Sequence, residues 1–248
     1  MAAPWMFPEF SPVGVDLASR EAVARYDRNQ GTDPARDRAL LDRLGVGPGT
    51  RLLDLACGTG SLVVEAARRG AEAHGVDVSE AMLEFAGRRA EAAGVPVSLH
   101  HGGFLGYRHA GAPADVVTIR SALHQLPDFW KQTALLNVAG HVRPGGLLYL
   151  WDVVFSFPPA EYAEHLQRMV DDLGRDDGEG FARSDFECHI REEFSTYSWI
   201  LEGLLVRAGF DVVSSAFPRP THGEFLCRRR AKASAQGMAQ SGRIGNAE

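Results

Sequence analysis

Apolar residues in this chain come in short runs set between stretches of helical period, and the alternation begins at Arg51. Residues 51–56 read as a buried strand, followed by a glycine loop and a helix over 61–69. A second strand is predicted over 71–77, and a helix over 79–93 with Ser79 as its cap. Further strands follow over 97–100 and 114–119, then a helix over 127–141. The Arg143-Pro144-Gly145-Gly146 turn leads into a strongly apolar strand over 147–154. Strands alternating with helices at this spacing pair in parallel and carry helices on both faces. The predicted fold is therefore α/β and doubly wound. Ligands of such sheets sit beyond the carboxyl ends of the strands.

The flanks of this core are less regular. Residues 19–29 can form a short helix, and Asp33-Pro34 starts another, with Leu40, Leu41 and Leu44 as its apolar stripe. Together, residues 1–48 read as an N-terminal helical cap with aromatic anchors at Trp5, Phe7, Phe10 and Tyr26. Residues 158–192 interrupt the alternation as a lid insertion, expected to be a helix over 160–173 and then a loop. A last helix is predicted over 193–207, followed by strands over 210–217 and 224–227. One domain over 1–230 accounts for all of this.

Composition narrows the function classes. No apolar run approaches the roughly 18 residues that span a bilayer. The first ten residues carry no basic charge and two prolines, so a signal peptide is not expected. Three cysteines, an odd number without metal-ligand spacing, fit reduced thiols in a cytoplasmic protein, and no metal is expected. The net charge of −6 argues against nucleic acid as a partner. Residues 161–193 hold eleven acids against four arginines, which would repel a phosphate backbone. The tail over 231–248, rich in Ala, Ser, Gly and Gln, has the composition of a disordered segment. A small-molecule substrate, no membrane and a monomer or homodimer complete the expectation.

The chemistry is concentrated where the first strand ends. Asp54-Leu55-Ala56-Cys57-Gly58-Thr59-Gly60 offers backbone N–H groups and a helix start to a ligand. Asp77 ends the second strand 23 residues after Asp54, where a carboxylate can take both hydroxyls of a ribose. A nicotinamide fingerprint G-x-G-x-x-G fails, because Val63 stands where its third glycine would be.

These segments, with Gly75-Val76-Asp77-Val78-Ser79 and Ala122-Leu123-His124-Gln125-Leu126-Pro127-Asp128, resemble the motifs of class I S-adenosylmethionine-dependent methyltransferases. The likeness is to the small-molecule type, similar to the ubiquinone and menaquinone biosynthesis group. It implies a seven-stranded sheet of order 3-2-1-4-5-7-6 with strand 7 antiparallel. It implies S-adenosylmethionine bordered by Asp54, Ala56, Cys57, Gly58 and Gly60. Asp77 would then hold the ribose, Val78 and Met82 would flank adenine, and Gly103, Phe104 and Arg120 would complete the cofactor set. Two departures stand out: Ala56 replaces a customary glycine, and Gly103 sits where many members carry an acid for the adenine amine. His124 is the expected general base if the acceptor must lose a proton, with an ordinary pKa near 6.5. Tyr26, Asp152, Tyr197 and His222 are the expected substrate-pocket residues. Other chemistry with the same cofactor, such as cyclisation or alkyl transfer, and non-catalytic binding are the alternatives.

Overall fold

The computed structural model describes residues 3–11, 20–30, 33–175 and 180–231. Three expectations therefore lie outside the described residues: the helix start at Ser19, the loop residues Asp176, Asp177, Gly178 and Glu179, and the tail beyond 231. The core elements are β1 (Arg51–Leu55), α3 (Ser61–Arg68), β2 (Glu72–Asp77), α4 (Glu80–Ala93), β3 (Ser98–His101), β4 (Ala114–Arg120), α5 (Asp128–His141) and β5 (Val142–Phe155). Before them come α1 (Arg20–Gln30) and α2 (Pro34–Arg43). After them come α6 (Tyr162–Leu173), α7 (Arg183–Glu192), β6 (Thr196–Tyr197), α8 (Ser198–Arg207), β7 (Phe210–Arg219) and β8 (His222–Arg229).

The sheet runs β3-β2-β1-β4-β5-β8-β7, with β8 antiparallel to both neighbours, as the resemblance implied. The two-residue β6 is an addition, parallel to the end of β5. Alternate residues of each central strand feed opposite layers. Leu53 and Leu55 pack with Leu135 and Val138 of α5 and Leu201 and Leu205 of α8. Leu52 faces the other way, onto Leu41 of α2 and Leu62 and Ala66 of α3. A strand buried on both faces needs apolar residues throughout, so the polar Asp54 within β1 is conspicuous. Helix signals operate as read: Asp33 accepts from Ala35 N at the start of α2, and Ser79 accepts from Met82 N at the start of α4.

Three local readings are corrected. The apolar strand starts at Val142, not 147, because the Arg143-Pro144-Gly145-Gly146 stretch forms a bulge opposite Ala114 to Val116. The polar stretch after α6 is not all loop: α7 occupies Arg183–Glu192, held at its start by Asp185, which accepts from Ala182 N at 2.9 Å. The helix expected over 193–207 is broken, with 193–197 extended and α8 beginning at Ser198. The break has visible causes. Phe194 N donates to His124 O at 2.7 Å, and Thr196 Oγ1 donates to Asp128 Oδ2 at 3.0 Å. Tertiary hydrogen bonds thus override local helix period. Among the described residues, no helix is long and apolar enough to cross a membrane.

Candidate active site

Three adjoining cavities line the carboxyl edge of β1, β2, β4 and β5. The first is a narrow slot of about 50 Å³ between Leu55, Val76, Val78, Gly103, Phe104 and Leu126. The second, about 170 Å³, is bounded by the β1–α3 loop and by Asp37, Arg120 and Ser121. The third, about 490 Å³, opens between Trp151, His222, His124 and helices α6 and α7. Ala56 borders the first and second, and Tyr26, Arg36, Ser121 and Trp151 border the second and third.

Backbone shape makes the middle of this channel. Ala56, Gly58 and Gly60 have φ of 59°, 54° and 79°. Only glycine adopts that region freely, so Ala56, standing in place of the customary glycine, carries a strain of about 1–2 kcal/mol. The two glycines differ in what surrounds them. A Cβ on Gly58 would meet nothing within 4 Å, whereas one on Gly60 would lie 2.6 Å from Ala86 Cβ. Gly60 therefore serves the packing of α3 on α4, and Gly58 faces open space. Cys57 Sγ packs over Gly75, and burial first, then the nearby carboxylates, raises its thiol pKa well above normal. It is a packing thiol.

Two acids frame the loop. Asp77 accepts from Gly58 N through Oδ2 and from Ser79 N through Oδ1, both at 2.9 Å. Each oxygen keeps a second lone pair. Asp54 accepts from Thr118 Oγ1 at 2.5 Å through Oδ1, while its Oδ2 is buried with no hydrogen-bond partner. Burial raises its pKa to about 6, against the opposing pull of Arg120. Arg120 in turn pairs with Asp37 at 2.8 Å. Above the loop, Asp27 of α1 accepts from Thr59 Oγ1 at 2.5 Å and pairs with Arg89 at 3.0 Å, which fastens α1 over the site.

Not every expected residue lines a cavity. Met82 is on the buried face of α4 and is absent from all three walls. Tyr197 lies outside the acceptor cavity; its ring packs 5.8 Å from both Phe155 and Phe157. Asp152 sits behind the wall and not in it, bonding His124 through both ring Nδ1 and backbone N. Tyr26 and His222 do line the large cavity, and His222 tilts over Trp151 at 6.0 Å. Burial and then Arg219 lower the His222 pKa to about 4.

His124 differs most from expectation. Its Nδ1 faces Asp152 and its Nε2 faces Glu193 at 2.8 Å, with the His124 and Glu193 side chains only 8% and 9% exposed. Burial favours the neutral ring, but Asp152 and then Glu193 outweigh it and hold the pKa up to about 10. With these protein groups alone, neither nitrogen is free to take a proton from an acceptor. Sequence reading missed His189, whose Nδ1 reaches the same Glu193 oxygen at 2.6 Å. It also missed Glu9, whose carboxylate accepts from Leu105 N at 2.7 Å. The His189/Glu193 spacing of four, which puts both on one helical face, was a readable signal. Nothing local marks Glu9, which lies 94 positions from Gly103.

The residues present fit an adenosyl ligand. There is an apolar slot, a ribose-spaced carboxylate, a glycine facing open space, and a buried carboxylate oxygen without a partner. The comparisons agree. A family model described as a methyltransferase domain matches residues 52–146. Demethylmenaquinone methyltransferase of Mycobacterium marinum is 34% identical over 214 residues, 80% of this chain and 86% of the relative. Ubiquinone biosynthesis O-methyltransferase of Aeromonas salmonicida is 32% identical, over 71% of each chain. The solved structure of magnesium protoporphyrin IX methyltransferase from Synechocystis with bound S-adenosylmethionine shares the fold. Its TM-score is 0.58 at 17% identity, covering 83% of this chain and 90% of that one. The fold and loop define a class I methyltransferase. The chain belongs to the S-adenosylmethionine-dependent methyltransferases of the ubiquinone and menaquinone type, and S-adenosylmethionine is its methyl donor.

Proposed function

We propose that the protein methylates a hydroxylated aromatic small molecule, of phenol or hydroquinone type, held in the large cavity. The observation that carries this reading is that this cavity adjoins the cofactor channel, with Ser121 and Trp151 as shared walls. Its size suits a small ligand. Trp151, Tyr26, Phe181 and Phe186 offer flat apolar walls, with polar groups gathered at His124, Glu193 and His222. A planar ring with one reactive oxygen matches that distribution. Relatives named for quinone methylation support the class without fixing the molecule.

When bound, S-adenosylmethionine supplies an electrophilic methyl group on a sulfonium. Asp77 holds the ribose diol with its remaining lone pairs, and the N–H groups of the Ala56–Gly60 loop and Arg120 receive the methionine end. Val78 and Phe104 flank the adenine. Glu9 takes the part of the acid absent at position 103: its carboxylate crowds the place where a Gly103 Cβ would stand. The N-terminal arm thus delivers a carboxylate to the slot where an adenine amine would point. Phe7 anchors it against Trp130 and Phe194, at 6.2 and 6.4 Å. Because transfer is an in-line displacement from an activated donor, the chain chiefly supplies alignment and exclusion of water. Helices α6 and α7 close the acceptor side as a lid, and the setting is cytoplasmic.

The test is release of S-adenosylhomocysteine from a panel of phenols, hydroquinones, primary amines and thiols. Turnover confined to hydroxylated rings is expected; turnover confined to amines or thiols would overturn the acceptor class. Glu9→Gln keeps the arm's shape and should weaken cofactor binding about ten-fold, since a bond to a charged acceptor contributes about 1.5–3 kcal/mol. Unchanged affinity by calorimetry would remove Glu9 from the adenine site.

A further inference from the structure

The cluster in the wall of the acceptor cavity has the layout of a metal centre. His124 Nε2 and His189 Nδ1 approach the same Glu193 oxygen at 2.8 and 2.6 Å, and the three ligand atoms lie within 4.8 Å of one another. The opposite nitrogen of each ring is already held: Asp152 takes His124 Nδ1, and Ser195 Oγ lies 2.9 Å from His189 Nε2. An orienting partner on the far nitrogen is what metal-bound histidines regularly have, and a carboxylate is a common one. Charge points the same way. Asp152 and Glu193 bring two negative charges into a nearly water-free wall, and a dication makes two neutral imidazoles and two carboxylates electrically neutral. Isolated buried charge is costly, so neutrality there matters.

We infer that His124, His189 and Glu193 bind a divalent first-row transition ion, with Asp152 and Ser195 orienting the two rings. The donor set of two imidazoles and one carboxylate suits zinc, iron(II), cobalt or nickel better than magnesium or calcium. Three protein ligands leave coordination positions open, and all three residues line the acceptor cavity. This inference rests on the acceptor reading above and deepens it, because an acceptor hydroxyl bound at the open position becomes more acidic. Its proton passes to water, and the oxygen's electron pair forms the O–CH3 bond. The S–CH3 pair remains on sulfur, leaving neutral S-adenosylhomocysteine.

The experiment uses full-length, tag-free protein, stripped with chelator and titrated with Co2+ alone. Metal content, calorimetry and the visible absorption of bound cobalt are followed. One equivalent should bind, with affinity falling at least 100-fold in His189→Ala and in Glu193→Gln, and about 10- to 100-fold in Asp152→Asn. Glu187→Gln, exposed on the same helix, should bind like the parent. Circular dichroism and S-adenosylmethionine affinity, measured on every variant, separate lost folding from a lost ligand. The conservative Glu193→Gln keeps the test informative if His189→Ala does not fold. Substoichiometric cobalt binding in the parent, or equal binding in folded Glu193→Gln, overturns the metal centre. Cofactor binding and turnover on hydroxylated rings that survive metal removal would overturn the Lewis-acid role while leaving the methyltransferase reading intact.

Discussion

The cofactor half and the acceptor half of this molecule share one sheet edge but are built in opposite ways. The cofactor half is made mostly of backbone. Its N–H groups, Gly58 and Gly60 with their positive φ, and Asp77, the carboxylate proposed for the ribose, lie within residues 54–79, close in sequence as in space. The acceptor half is made of side chains from four distant places: His124 after β4, Asp152 in β5, His189 and Glu193 on the lid's return, and His222 at the start of β8. Local backbone geometry constrains the sequence tightly, because few residues tolerate φ near +60°. A side-chain constellation constrains only its members, and nothing between them records that they meet.

The strongest way to break this comparison lies in the loop. Gly60→Val should destabilise the fold by several kcal/mol, since a Cβ there collides with Ala86 and the backbone is strained. Gly58→Val carries the left-handed strain of about 1–2 kcal/mol but meets no neighbour, so it should still fold, with the smaller loss of stability, and lose cofactor affinity by 100-fold or more as its side chain fills open space. Equal melting temperatures for the two variants would show that the glycines do not divide the labour. Next in size is Asp77→Ala. It removes the acceptor of two loop N–H groups and of the ribose diol, so cofactor affinity should fall 10- to 100-fold. Wild-type affinity by calorimetry would take Asp77 off the ribose.

Asp54 sharpens the contrast through pH. Its native pKa, near 6, lies above the unfolded value, so the native state binds the proton more tightly. Its contribution to stability is therefore present at low pH and lost as pH rises from about 4 to about 6. Cofactor binding should run the other way, strengthening as the carboxylate ionises to face a cationic ligand. Asp54→Asn should flatten both profiles over that interval; thermal melts and titrations across pH 4.5–7.5 read them. An unaltered binding profile would mean that Asp54 never meets the cofactor. The smallest effect is expected of Tyr197→Phe, within two-fold of parent turnover, since the ring packs on Phe155 and Phe157 outside the cavity. A ten-fold drop would restore Tyr197 to the acceptor site.

The legibility of the sequence divides along the same line. The strand–loop–helix with Asp54, Gly58 and Gly60 and the second-strand Asp77 were readable, because periodicity and motif are local signals; the sheet order followed only from the family resemblance those motifs carry. The His124–Glu193–His189 meeting was not. It depends on the helix over 193–207 being broken at its start, and the cause is a bond from Phe194 N to His124 O, 70 residues apart. Lys131 strengthens that tie: it is almost wholly buried, pairs with Asp128 at 2.8 Å and donates to Phe194 O. Propensity cannot see such partners. Glu9 escaped for the same reason.

The pairing of Val154 with Thr196 and of Phe155 with Tyr197 has a consequence for how such an enzyme changes over generations. The segment carrying α6 and α7 leaves the sheet and returns to it at neighbouring strand positions, about 5 Å apart. A segment whose ends already meet can be lengthened, shortened or exchanged at little entropic cost. Residues 156–195 form a replaceable cassette: new acceptor walls can be installed there by recombination while the methyl-donor machinery stays as it is. Grafting the corresponding stretch of a relative between Phe155 and Thr196 should therefore transfer acceptor preference and leave S-adenosylmethionine affinity almost unchanged.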